Sequence, residues 1–239
     1  MTCALCLGEA PLRNSHVIPE FLYRSLYDEK HRLHQVSADP AQPNIYLQKG
    51  LREPLLCELC EQRFSVSERY ASMLLNGGVG VSVRRQGNRL HLTEIDYKKL
   101  KLFQLSILWR AGISSLSAFS QVNLGTHGER VRRMLATDDP GSTASYGCIT
   151  FMLMQETDLL RDLIVPPTWA RLAGQKAYRF VFGGLVFVYV VSSTPPPKFV
   201  SEHFLQEGGT AIVKLQQVQE LGFLVDTVAK MHRLGKFDL

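Results

Sequence analysis

An α+β fold is predicted by three features of this chain: two widely separated CxxC pairs near the amino terminus, an uninterrupted apolar helical pattern over 97–116, and two glycine-centred alternating segments, 79–95 and 178–191, that read as β-hairpins. Cys3/Cys6 and Cys57/Cys60 each form a turn that aims two sulfurs at one point. Two such turns supply the four thiolates of a tetrahedral structural Zn2+, which would staple the amino terminus to a later helix and fix the loop between them. Ser15-His16-Val17-Ile18-Pro19 lies in that loop.

Residues 1–16 hold the first knuckle, and Pro19 predicts a short helix over 20–26 because proline is favoured in a first turn. Residues 31–50 are expected to be irregular or extended. A helix is expected from Pro54, with Leu55, Leu56, Leu59, Phe64, Tyr70, Met73 and Leu74 forming its apolar stripe and Gly77-Gly78 ending it. The 79–95 hairpin turns at Gln86-Gly87-Asn88, and helices follow at 97–116 and 127–136. Beyond Asp138-Asp139-Pro140-Gly141 come a strand at 145–154, a helical piece at 157–163, the Gly183-Gly184 hairpin, the Pro195-Pro196-Pro197 breaker, a strand at 210–215 and a last helix over 218–234. A boundary near residue 78 divides a head, 1–78, from an α+β body, 79–239.

The 239 residues suffice to bury a core, and 45% hydrophobic with 21% charged residues is ordinary for a soluble globular protein. Net charge is +5, which favours an anionic partner without demanding one. Arg84, Arg85 and Arg89, then Lys98, Lys99 and Lys101, then Arg130, Arg132 and Arg133 could track phosphates or form solvated faces. The 178–191 run is too short to span a membrane and carries Arg179, so no membrane association is expected. The absence of a signal peptide and the CxxC pairing point to a reducing cytoplasm. Cys148 reads as a small buried hydrophobe. Trp109 with Leu102, Leu105 and Leu108 reads as core, and Arg110 either pairs with a buried carboxylate or lies on a rim.

A histidine held beside a metal-stapled helix suits hydrolysis of a phosphodiester: imidazole takes a proton from water while a hard cation stabilises the phosphorane and leaving oxygen. The nearest carboxylates are Glu53, Glu61 and Glu68. Glu61 directly follows Cys60, and Glu68 lies two helical turns further on. Glu53, before Pro54, suits a cap or dipole partner better than a ligand.

The succession CxxC, Ser-His-Val-Ile-Pro and Leu-Leu-Cys-Glu-Leu-Cys-Glu resembles the HNH endonucleases of the ββα-metal class over roughly the first third of the chain. That resemblance implies a ββα-metal head, His16 as general base and Cys3, Cys6, Cys57 and Cys60 on structural zinc. It places Glu61 where the family more often has His or Asn on the catalytic cation, with Glu68 a further candidate ligand and Mg2+ or Mn2+ as the ion. Ser15 stands where many members carry an acidic ligand. The resemblance implies cleavage of DNA, in defence against foreign DNA. The alternatives are a catalytically decayed, zinc-stabilised nucleic-acid-binding module and an adaptor that meets a protein partner through its carboxy-terminal body.

Overall fold

The computed structural model describes residues 1–36, 41 and 43–236. After the Cys3–Cys6 knuckle comes β1 (Leu12–His16) and then, in place of the helix expected at 20–26, two 3-10 turns, Glu20–Leu22 and Arg24–Leu26. A small antiparallel pair follows, β2 (Arg32–Gln35) with β3 (Ile45–Gln48). β4 (Arg52–Cys57) runs back along β1, Leu12 opposite Cys57 and His16 opposite Arg52, and α1 (Glu58–Leu75) starts at the next residue.

The helix expected from Pro54 therefore begins four residues later, and Leu55 and Leu56 belong to a strand. Pro54 has no N–H to give a ladder, and it sits beside the register shift between Arg13 and Asn14, where the pairing is already interrupted. Leu56 and Cys57 are buried on that strand, which delivers Cys57 to the end of α1 next to Cys60.

β5 (Ser82–Gln86) and β6 (Arg89–Thr93) form the expected hairpin; Gly87 takes the left-handed φ of +61° that its two-residue turn requires. α2 (Tyr97–Ile113) is capped by the Asp96 carboxylate, which accepts from the Lys99 N–H at 3.0 Å, and α3 (Thr126–Ala136) packs beside it. α2 is buried along most of its length, including Lys101, Gln104 and Arg110.

The remaining strands are β7 (Cys148–Gln155), β8 (Asp158–Leu159), β9 (Val165–Leu172), β10 (Gln175–Phe182) and β11 (Leu185–Val190), followed by α4 (Lys198–Ser201), β12 (Ala211–Gln217) and α5 (Gly222–Arg233). The helix expected at 157–163 is instead β8, which turns back on β7 through Glu156 at φ +55°. β9, unforeseen, tolerates Pro166 and Pro167 because it is an edge strand. The large sheet runs β5-β6-β12-β7-β11-β10-β9 with β8 also on β7, antiparallel throughout except for the parallel β12–β7 pair.

The fold is thus mixed α+β, with five α-helices among the described residues. One apolar cluster joins Cys3, Leu5, Leu56 and Phe64 of the amino-terminal part to Trp109, Tyr178 and Phe187, so packing continues across residue 78. Phe64 of α1 meets Trp109 of α2 edge-on, with ring centroids 6.3 Å apart. No helix among the described residues is long and apolar enough to cross a membrane.

Candidate functional site

The four cysteines converge. All their Sγ atoms lie within 4.8 Å of one another, and Cys6 Sγ is 3.9 Å from Cys57 Sγ. Zn–S bonds of about 2.3 Å in a tetrahedron put sulfurs about 3.8 Å apart, so the cluster can hold a metal ion and fits structural zinc. Backbone geometry sets the knuckle: Leu7 adopts φ +62°, its N–H reaches the Cys3 carbonyl at 2.9 Å, and the Ala4 N–H reaches the Leu55 carbonyl at 3.0 Å. The Cys57 N–H points at Cys3 Sγ from 3.3 Å.

Burial alone would raise the Cys3 thiol, but backbone N–H groups of Cys6, Cys57 and Leu5 and the Cys6 thiol outweigh it and bring the pKa down to about 7. Cys60 moves the other way, raised by burial and by the three neighbouring thiols. Several sulfurs this close cannot all carry negative charge unless a cation sits among them.

His16 ends β1, 22% exposed, with its ring turned toward the 20–27 segment. Its Nε2 lies 2.9 Å from the Lys49 carbonyl and also contacts the Glu20 carboxylate. A carbonyl only accepts, so Nε2 carries the hydrogen in this contact and, on the neutral ring, Nδ1 keeps the lone pair. Nδ1 has no hydrogen-bond partner among the described residues. The other oxygen of Glu20 accepts from the Tyr27 hydroxyl at 2.8 Å.

Neighbouring residues on a strand point to opposite faces, and Ser15 is turned inward, 1% exposed, where its hydroxyl donates to the Glu61 carboxylate. Glu68 is engaged by Arg110 Nη2 at 2.7 Å. Arg110 is itself 1% exposed and reaches the main-chain carbonyl of His16 through Nη1 at 2.7 Å, so one guanidinium links α2 to α1 and to the end of β1.

His16 ends β1 and Glu61 and Glu68 lie on α1, but their side chains meet different partners, and His16 faces away from the Ser15–Glu61 contact. Among the described residues only the cysteines bring three or more His, Cys, Asp or Glu ligand atoms together. Glu53 receives the hydroxyls of Ser114 and Ser115 and the Ser115 N–H just beyond α2, a positioning role rather than a ligand's.

The sequence did not single out Glu20, although it lies one helical turn after His16 beyond Pro19. The basic groups also sort themselves. Lys98 pairs with Asp138, Lys99 with Asp96, and Arg132 and Arg133 with Glu129, while Lys101, expected to contribute to a solvated or phosphate-tracking group, is 1% exposed. Arg84, Arg85 and Arg89 stand exposed on the β5–β6 hairpin. Comparison with protein families, with curated proteins and with solved structures finds no match to this chain.

Proposed function

We propose that this chain is a zinc-stapled phosphodiesterase of the HNH type, acting on DNA with His16 as general base. The observation that carries the reading is the imidazole's environment: the Lys49 carbonyl holds Nε2–H, leaving Nδ1 with its lone pair and no partner among the described residues, at the end of the β1–β4 pair. In this reading β1, β4 and α1 are the ββα unit and zinc on the four cysteines fixes its geometry. Mg2+ commonly takes one or two carboxylates and completes its shell with water and substrate phosphate oxygens. Glu61, with the Ser15 hydroxyl beside it, supplies hard oxygens suited to Mg2+ or Mn2+. Such an ion would stabilise charge on the phosphate. Glu20 orients the His16 ring, and Arg110 holds the strand end that presents it.

A second reading, a nucleic-acid-binding module that no longer cleaves, is favoured by the partners already on the carboxylates: Ser15 on Glu61 and Arg110 on Glu68. Zinc-loaded protein incubated with supercoiled plasmid and Mg2+, Mn2+ or Ni2+ separates the two. Nicking that falls by about a hundredfold or more in His16→Ala is expected, the size of a general-base contribution. Equal cleavage by both proteins, or none with any cation, would end the nuclease reading. A gel shift on the inactive protein would then distinguish nucleic-acid binding from a protein-docking role.

A further inference from the structure

Every residue from Ser82 to Arg89, the stretch that makes β5 and the turn into β6, is exposed. The hairpin is not a loose arm: the Leu215 N–H donates to the Asn88 carbonyl at 2.7 Å and ties the turn to β12. Cross-strand pairing sets which side chains share a face. Arg84 lies opposite His91, Gln86 opposite Arg89, and Arg89 also opposite Lys214 of β12, so Arg84, Gln86, Arg89 and Lys214 stand on one side of the sheet. Directly opposed side chains are about 5 Å apart and diagonal ones about 7–8 Å, and like charges placed this way destabilise a sheet. No carboxylate offsets the repulsion. Arg84, Arg89 and Lys214 join no ion pair among the described residues. Glu94, at the base of the hairpin, accepts from the Ser82 hydroxyl at 2.6 Å, and Glu202, on the neighbouring cleft, lies 3.9 Å from His203 Nε2.

We propose that this face docks the backbone of a DNA duplex, with Arg84, Arg89 and Lys214 each meeting a phosphate. Three cations held close together without a counter-charge suit a polyanion, which relieves their repulsion and releases its own counterions on binding. Gln86 and Asn88 add amide donors of the kind that hydrogen-bond phosphate and sugar oxygens. An anionic membrane fits less well, because an interfacial anchor needs an apolar face and Val83 is the one apolar side chain in the run. The inference rests on the reading that DNA is the substrate, and gives the chain a grip on it separate from His16.

The test reads binding rather than cleavage: fluorescence anisotropy of a labelled duplex with full-length zinc-loaded protein, without added Mg2+ or Mn2+, across a salt series. Each lost phosphate contact lowers the slope of log affinity against log salt by about 0.9, so Arg84→Gln/Arg89→Gln/Lys214→Gln should lower it by about 2–3. Arg171→Gln/Lys198→Gln/Lys230→Gln removes the same charge from exposed positions elsewhere and should leave the slope near wild type. Lys214→Gln alone should melt no lower than wild type, which shows that folding is intact and that a repulsion has been removed. An unchanged slope in the first triple variant, an equal fall in the second, or binding to phosphatidylserine vesicles in place of the duplex would overturn the proposal. If plasmid is nicked in a His16-dependent way while the first triple variant keeps its slope, the nuclease reading stands and this face is not its grip. Salt-dependent binding lost in that variant, with no cleavage by wild type, supports the face and ends the nuclease reading; no duplex binding at all ends both.

Discussion

Arg110 is the residue whose removal tests the packing around the candidate site most sharply. Its guanidinium is almost wholly buried and donates to the His16 carbonyl, Glu68 Oε1, the Ser106 carbonyl at 3.2 Å and the Ser106 hydroxyl at 3.1 Å. It also lies 5.3 Å from the centroid of the Phe64 ring. Removing one partner of a buried ion pair costs about 3–5 kcal/mol, because the other charge is left without compensation. Glu68 is 25% exposed, so water recovers part of that loss and Arg110→Ala should cost about 3 kcal/mol. For a chain of this size that corresponds to a Tm lower by about 6–12 °C. Glu68→Gln keeps an oxygen acceptor and should cost less, about 1 kcal/mol. Urea denaturation of zinc-loaded wild type, Arg110→Ala, Glu68→Ala and the double variant would give the coupling directly, expected at about 1–3 kcal/mol. Additivity within about 0.5 kcal/mol would refute the claim that this pair pins α2 to α1.

Lys101 should reveal itself through pH. Its ammonium is buried with one hydrogen bond, to the Tyr146 carbonyl at 3.3 Å, and burial lowers its pKa to about 8. The unfolded chain then binds more protons than the folded one above about pH 8, so Lys101 makes stability rise with pH there, by about 1 kcal/mol per pH unit. Lys101→Met should be the more stable protein at pH 7 by about 2 kcal/mol, with the gap narrowing by pH 9, measured by urea denaturation at each pH; a gap constant with pH would contradict this. Gly209→Ala should cost about 2 kcal/mol or more, because the residue sits at φ +71° and an added Cβ would lie 2.4 Å from the Ile95 carbonyl oxygen. An unchanged melting temperature would contradict the close approach of the β6–α2 connection to Gly209.

The parts of the fold that were legible in the sequence are those set by local chemistry. Paired CxxC turns announce a four-sulfur cluster, Gly87 and Gly183-Gly184 announce hairpin turns, and the apolar density of 97–116 announces a buried helix, which ends three residues sooner at Ile113. What misled was periodicity over short stretches. Leu55, Leu56 and Leu59 suit a helix, but β1 needed a partner and Leu55–Cys57 extended to provide it. At Asp158 the chain closes a hairpin on β7, a tertiary choice that the composition of 157–163 does not encode.

The candidate site divides the same way. His16 and Glu61 were recognisable by residue type and motif, yet their partners could not be foreseen. Ser15 meets Glu61 because β1 alternates its side chains, and Glu68 meets Arg110 because α1 and α2 cross at that point. The sequence leaves Arg110 between a buried pairing and a rim position; its place in the core resolves that in favour of the ion pair.

Everything proposed for the amino-terminal part presupposes that Cys3, Cys6, Cys57 and Cys60 share one zinc ion. X-ray absorption on protein purified without added metal tests this directly, alongside its zinc content. About one zinc per chain, surrounded by four sulfur scatterers at about 2.3 Å, is the predicted result. Protein that folds with no bound metal, or a zinc shell containing nitrogen or oxygen in place of one of the sulfurs, would contradict it.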